Sequence, residues 1–229
     1  MSSPYVLTEA EATDAYAIAS LFALSWNLPF AQLQFGNVDA FTLAQSLAPN
    51  IAEQMKHKYV KYVVIRRSDT QEVVSAAQWA LPVYDNLCQV YETSKDREER
   101  EQFEDEIYRN KLPEGSNKDL IMEFGIGQRK LREQALRGAT HYLLENIATY
   151  PQYRSQGLAT RLIEWVFLEA DKSGVLVYLD AASNNPAMRL YEKLGFEEVG
   201  RNIIDDLSRY GGKGSETYIA MIRCPKKLL

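Results

Sequence analysis

Apolar positions follow two rhythms along this chain. Compact runs rich in β-branched and aromatic residues predict strands at Tyr5–Thr8, Tyr59–Ile65, Val73–Leu81, Tyr142–Thr149, Val175–Leu179, Phe196–Asn202 and Thr217–Ile222. Between them, apolar residues recur at helical spacing. One helix has Ile18, Leu21 and Phe22 on its face, with Thr13 or Asp14 as cap. A second starts at Asp39 and carries Leu43, Ala44 and Leu47, with Pro49 expected to break or kink it. The stretch 27–37, with Pro29, Phe30, Phe35 and Gly36, is expected to be a looser loop, its aromatics lining a pocket or packing on the core. Ser68-Asp69-Thr70-Gln71 joins the second and third strands into an antiparallel hairpin, and Pro82 ends the latter. A later helix carries Leu158, Leu162, Trp165, Val166 and Ala170. A last one carries Ala187, Leu190, Tyr191 and Leu194, capped by Asn184 or Asn185 and stopped by Gly195.

Residues 83–138 interrupt this alternation. Their first half is charged and rich in helix formers, and their second half is helical, weakened by Gly125 and Gly127. A solvated helical hairpin is the expectation. The element order then predicts one α/β domain over 1–229, with a mixed sheet and a helical insertion between the third and fourth strands.

Composition narrows the classes. The net charge is −5, yet residues 92–106 hold eight acids against three bases, so the rest of the chain is neutral overall. No basic stripe predicts nucleic-acid binding. No apolar run is long enough for a membrane span, and the N-terminus shows no basic apolar leader, so a cytoplasmic or nucleocytoplasmic protein is expected. Cys88 and Cys224 stand alone, which predicts neither a disulfide framework nor a metal site.

The stretch Tyr150–Thr160 carries the chemistry. A strand ends, the chain turns, and a helix begins on Gly157 and Ala159. A helix start leaves backbone N–H groups without partners and carries partial positive charge. Small residues there let a phosphate or pyrophosphate approach the main chain.

Arg154-Ser155-Gln156-Gly157-Leu158-Ala159 matches the Gln/Arg-x-x-Gly-x-Gly/Ala signature of the GNAT superfamily of acyl-CoA-dependent N-acyltransferases. Asn184 to Phe196 resembles its second signature, N-x-x-A-x-x-L-Y-E-K-x-G-F. The two stand in the expected order and spacing. The chain looks most like the puromycin-acetyltransferase-like members that acetylate small amines. The resemblance implies a GNAT-type, mostly antiparallel central sheet flanked by helices. It implies acetyl-CoA as co-substrate, no metal, and a small-molecule or peptide amine as acceptor. Amides from Arg154, Ser155, Gln156, Gly157, Leu158, Ala159 and Thr160 would hold the CoA pyrophosphate. The main chain at Ile147, Ala148 and Thr149 would pair with the pantetheine arm as an added strand does. An N–H at Ile147 or Ala148 would polarise the thioester carbonyl. Asn184 would touch the cofactor or cap the helix. Tyr191, in the motif's Tyr position, would protonate the leaving thiolate, or pack in the core.

An attacking ammonium must also lose a proton. Glu145 on the central strand is the first candidate base, with Glu123 and Asp180 behind it. The acidic insertion is either a lid that steers a cationic amine or a solvated helix. Two other classes remain open at this point. A dinucleotide-binding enzyme would need small residues where Arg154 and Gln156 stand. A non-catalytic acyl-CoA-binding or interaction module would keep the same turn.

Overall fold

The computed structural model describes residues 3–26, 28–82, 98, 101–102 and 105–226. Seven strands form one sheet: β1 (Tyr5–Glu9), β2 (Val60–Arg67), β3 (Val73–Ala80), β4 (His141–Thr149), β5 (Leu176–Ala182), β6 (Glu197–Ile204) and β7 (Glu216–Arg223). Their order across the sheet is β1-β2-β3-β4-β5-β7-β6. Every neighbouring pair is antiparallel except β4 and β5, which run parallel. The expected mixed, mostly antiparallel sheet with an insertion between β3 and β4 is therefore the observed one.

Side chains alternate across this sheet, and each face is covered by helices. On one face lie α5 (Leu158–Ile163), α6 (Phe167–Ser173) and α7 (Met188–Lys193). Their apolar sides meet Val63, Trp79, Leu144, Val177 and Leu179. On the other face, α1 (Ala15–Ser25) and α3 (Ala40–Gln54) cover Tyr62, Val64, Ala76 and Ala148. The far half of that second face, formed by β5, β7 and β6, is covered by α4 (Lys118–Leu136), through Leu131 and Leu136 on Leu143, Tyr178 and Ala220.

Several expectations need correction. Residues 29–35 are not a loop but a helix, α2 (Pro29–Phe35), with Pro29 at its first turn, where a missing N–H costs nothing. Its aromatics divide: Phe30 is buried, and Phe35 stacks on Trp26 at 5.0 Å. Pro49 does not end α3, which runs through it. The Asn50 side chain donates to the Ser46 carbonyl (3.4 Å), meeting one acceptor near the missing amide. The helix read through Leu158–Ala170 is interrupted by a 3-10 turn at Glu164–Val166, which separates α5 from α6. Asp39 caps α3 as expected, accepting from Phe41 and Thr42 N–H at 3.0 Å each.

The insertion is not simply a solvated hairpin. Cys88 and much of the acidic run 92–106, Glu99 included, lie outside the described residues. The end of that run is tied down, since Asp105 accepts from Arg129 of α4 at 2.8 Å. The α4 helix itself is a structural wall of the domain. Gly127, expected to weaken it, lies where a Cβ would meet the Asn202 amide nitrogen at 2.4 Å, so the glycine lets α4 close onto β6.

One ion pair bears on stability. Arg223, at 2% exposure, lies 3.9 Å over the Phe167 ring and donates two 2.8 Å bonds to Asp171. These bonds hold the Asp171 carboxyl below its usual range. A lowered carboxyl contributes stability above its unfolded pKa and loses it as pH falls through the folded value. Asp171→Asn, which leaves the guanidinium half-satisfied, should cost about 2 kcal/mol at neutral pH. Urea denaturation should show this deficit shrinking below pH 3.8, the carboxyl's ordinary value.

Candidate active site

The parallel pair is where the sheet opens. β4 and β5 pair from His141↔Leu176 to Leu144↔Leu179 and no further. Beyond that point β4 stays with β3 as far as Thr149↔Ser75, while β5 stays with β7 as far as Ala182↔Tyr218. The strands therefore diverge, and main-chain groups of Glu145–Thr149 on one limb and Asp180–Ala182 on the other face a V-shaped slot.

A register shift helps make this opening. Gln78 pairs with Asn146 but Trp79 pairs with Leu144, so Glu145 is the extra residue of a β-bulge. The bulge turns Glu145 and Asn146 toward one side chain. Gln78 donates through Nε2 to Glu145, and its Oε1 accepts from Asn146 Nδ2 at 2.8 Å. Glu145 is half-buried and close enough to Tyr62 for its charge to help push that phenol's pKa up, behind burial as the larger cause. Past the bulge, Tyr150 N–H bonds the Val74 carbonyl at 3.1 Å. The alternation of an antiparallel ladder then assigns the Ala148 N–H to β3 and turns those of Ile147 and Thr149 to the slot. Ala148 packs its side chain under α1 and α3, and Ile147 packs on the opposite face.

At the mouth of the slot, a 3-10 turn at Pro151–Tyr153 leads into the residues 154–157. Ser155 and Gly157 both take positive φ, 60° and 75°. Two left-handed residues so close together make the chain reverse tightly before α5. Among the described residues, the first N–H of α5 with a main-chain acceptor outside the helix is that of Arg161, on the Gly157 carbonyl at 3.2 Å. The amides before it are the orphan donors of a helix start. Leu158 is buried in the core, so only its backbone faces the turn, while Ala159 and Thr160 are half-buried and Arg154, Ser155 and Gln156 are exposed. Arg154 folds back, donating through Nε to the Thr149 carbonyl at 3.2 Å. Gln156 accepts from the Tyr5 hydroxyl at 2.7 Å, which ties the turn to β1. A strand edge left unpaired by β5 beyond Leu144, together with an amide-rich turn at its mouth, fits an extended pantetheine arm and its pyrophosphate.

On the β5 limb, Asn184 is exposed. Neither asparagine caps α7, whose N-cap is Ala187; Asn185 Oδ1 accepts from Ala187 N–H at 2.8 Å in the turn before the helix. Tyr191 of α7 is 4% exposed and lies edge-on to Phe196 at 6.2 Å. Burial, then the charge of Asp180, pushes its hydroxyl up to about 12. Asp180 is the first β5 residue past the last β4 pair, as Glu145 is on β4. Burial raises its pKa, against the opposing pull of Arg132 and of a hydrogen bond from Gln128 of α4.

The sequence candidates thus separate. Glu145, Ile147, Ala148, Thr149 and Asp180 lie on the two limbs of the slot and residues 154–160 at its mouth, while Tyr191 is packed in the core on α7, within reach of the Asp180 charge. Glu123 does not join them, because it binds Arg209 and Tyr210 and so ties α4 to the β6–β7 connection. His57 stacks on Tyr59, and His141 bonds the Ala139 carbonyl at the closed end of β4. Gln78 and Gln128 went unremarked in the sequence. For Gln78 the signal was present, a polar residue inside the apolar run Val73–Ala80, whereas Gln128 lies among polar helix residues and gave none. Among the described residues no group of three or more His, Cys, Asp or Glu could hold a metal ion, and no helix is long and apolar enough to cross a membrane.

A mixed sheet that opens at its one parallel pair, with an amide-rich turn at the mouth, is the architecture of the GNAT acetyltransferases. Residues 119–198 match the family model described as the acetyltransferase (GNAT) domain. Over 58 residues the chain is 47% identical to the ribosomal protein bS18-alanine N-acetyltransferase of Escherichia coli, a match covering 24% of this chain and 39% of that one. The chain thus matches about two fifths of the length of that curated relative. Among solved structures, arylalkylamine N-acetyltransferase 2 from Aedes aegypti superposes with a TM-score of 0.64 at 15% identity, covering 98% of this chain and 100% of that one. An acetyltransferase from Corynebacterium glutamicum, titled as histone acetyltransferase HPA2 and related, gives 0.56 at 19% identity, covering 99% of each. The family model and the shared fold support the GNAT superfamily assignment drawn from the two motifs.

Proposed function

We propose that this chain is a cytoplasmic acetyl-CoA-dependent N-acetyltransferase that moves the acetyl group to a primary amine by direct attack. The observation that carries the reading is the end of β4–β5 pairing at Leu144↔Leu179, directly before the left-handed turn at Gly157. Acetyl-CoA, when bound, supplies a thioester activated for acyl transfer. The chain's residues do the rest. Amides of 155–160 hold the pyrophosphate, since the Arg154 N–H is taken by the Pro151 carbonyl at 3.2 Å, and the slot-facing main chain of Ile147 with the Thr149 N–H aligns the pantetheine arm. The Ile147 N–H is the donor best turned toward the thioester carbonyl.

Proton flow follows from stoichiometry. An ammonium acceptor carries three protons and the product amide keeps one. Of the other two, one leaves to solvent through Glu145 or a water it holds, and the other goes to the departing sulfur. Tyr191 is the donor for that second proton, and a phenol kept protonated to about 12 is charged with it across the whole working range. As the C–N bond forms the C–S bond breaks, and no acyl-enzyme is required.

The test is calorimetric titration with acetyl-CoA, followed by thiol release against a panel of amines. Micromolar binding with amine-dependent release supports the reading. Tight binding with no release for any amine would indicate a non-catalytic acyl-CoA-binding module instead.

A further inference from the structure

The second face of the sheet carries a cluster that the reaction outlined above does not use. Asp180 pairs in register with Ala220, and Tyr218, two residues earlier on β7, pairs with both Ala182 and Asn202. Residues opposite one another in an antiparallel pair share a face. Asp180, Tyr218 and Asn202 therefore all point toward α4.

Two residues one helical turn apart on α4 meet them. Gln128, 6% exposed, donates to Asp180 and accepts from Asn202 Nδ2 at 3.4 Å. Phe124, four residues before it, packs on Tyr218 with ring centroids 4.7 Å apart. Phe30 of α2 closes the group, 5.4 Å from Phe124 and 5.9 Å from Tyr218. Phe30 is buried, but Phe124 and Tyr218 each keep part of their surface exposed. A carboxylate clasped by an amide thus stands beside three rings from three different elements. The charge of Asp180 helps raise both the Tyr191 and the Tyr218 hydroxyls, behind burial as the larger cause.

We propose that Asp180 and the rings of Phe30, Phe124 and Tyr218 form the acceptor subsite, and that its ligand is a primary amine joined by a short linker to an aromatic or flat apolar body. The inference rests on the acetyl-transfer reading and gives that site its substrate class. The half-buried carboxylate takes the ammonium, which adds to the partial compensation its charge already has from Arg132. The rings take the apolar body edge-on or offset, the geometry aromatic pairs prefer. Gln128 is a positioning residue, because it fixes Asp180 through its amide. The insertion then has a role, since α4 brings both the ring of Phe124 and the amide of Gln128 to a sheet that would otherwise carry Asp180 bare.

The outward groove of about 500 Å³ between α4 and β6 is a different place, lined by Met122, Ile126, Lys130 and Ile203 among others, with no residue of β4 or β5. It shares Asn202 with the cluster but is lined by none of Asp180, Phe30, Phe124 and Tyr218.

The experiment compares 2-phenylethylamine, butylamine, spermidine and an alanyl peptide as acceptors, and measures 2-phenylethylamine binding to the CoA-saturated protein by calorimetry. The expected order puts 2-phenylethylamine about tenfold or more ahead of the others in kcat/KM. Phe124→Leu should raise its KM about tenfold, with butylamine little changed. Asp180→Asn should weaken every amine about thirtyfold while the acetyl-CoA Kd stays put. Preference for spermidine or the peptide would overturn the assignment, as would an unchanged 2-phenylethylamine KM in Phe124→Leu. The two readings fail separately. Amine binding that both substitutions abolish, without thiol release, would keep the subsite and remove the transferase. Release with other amines alone would do the reverse.

Discussion

Tyr191→Phe should slow the chemical step by about a hundredfold or more while leaving acetyl-CoA affinity near that of the wild type. The substitution removes one oxygen and keeps the ring, so the packing on Phe196 survives. On the proposed reading, what is lost is the proton donor to the departing sulfur. Single-turnover rates isolate this step from product release. The pH profile adds a second mark. Because the phenol is raised to about 12, the wild-type single-turnover rate at saturating amine should climb as the bound ammonium gives up its proton and then stay level into the alkaline range. A group with a raised pKa keeps its proton over a wider range, so no fall belongs to Tyr191 until pH nears that value. A wild-type single-turnover rate in the mutant would make Tyr191 a packing residue of α7.

Gly157→Glu should abolish measurable acetyl-CoA binding in a protein that still folds. Nothing lies within 4 Å of a Cβ built at this glycine, so the start of the new side chain meets no protein atom. A φ of 75° costs an L-residue about 1–2 kcal/mol, a strain that Gly157→Ala bears equally. The alanine variant therefore separates strain from charge. It should bind acetyl-CoA more weakly than the wild type, whereas the glutamate sets a negative charge against the pyrophosphate and blocks the amides. Equal affinities for the glutamate and alanine variants would remove this turn from the phosphate site.

The features legible in the sequence were those with a local signature. The turn at 154–157 needs small residues and sits between a strand pattern and a helix pattern, and the Asn184–Phe196 motif lies one strand later. Strand positions were legible because β-branched runs report burial directly. Other features depend on contacts distant in sequence. The bulge at Glu145 is a one-residue register shift, and the apolar run Tyr142–Thr149 reads the same with or without it. The α2 helix is a seven-residue element held by Phe30 and Leu33 against α4 and the β6–β7 connection, so its own composition reads as loop. Pro49 predicts a break because the rule for proline is local, while the packing of Leu43, Ala44 and Ile51 that carries α3 through it is not. The role of α4 was hidden for the same reason. Gln128 matters only because the sheet brings Asp180 beneath it.

The central claim is direct transfer from a thioester held in the β4–β5 slot to a free amine. The most direct test is a single turnover of acetyl-CoA, labelled in its acetyl group, mixed with one equivalent of enzyme and an excess of 2-phenylethylamine, with amine and protein masses followed together. The account predicts labelled acetylated amine and free thiol appearing in equal amounts at one rate, with the protein mass unchanged throughout. Label that accumulates on the protein before reaching the amine, or that stays on CoA while acetyl-CoA is fully bound, would contradict it.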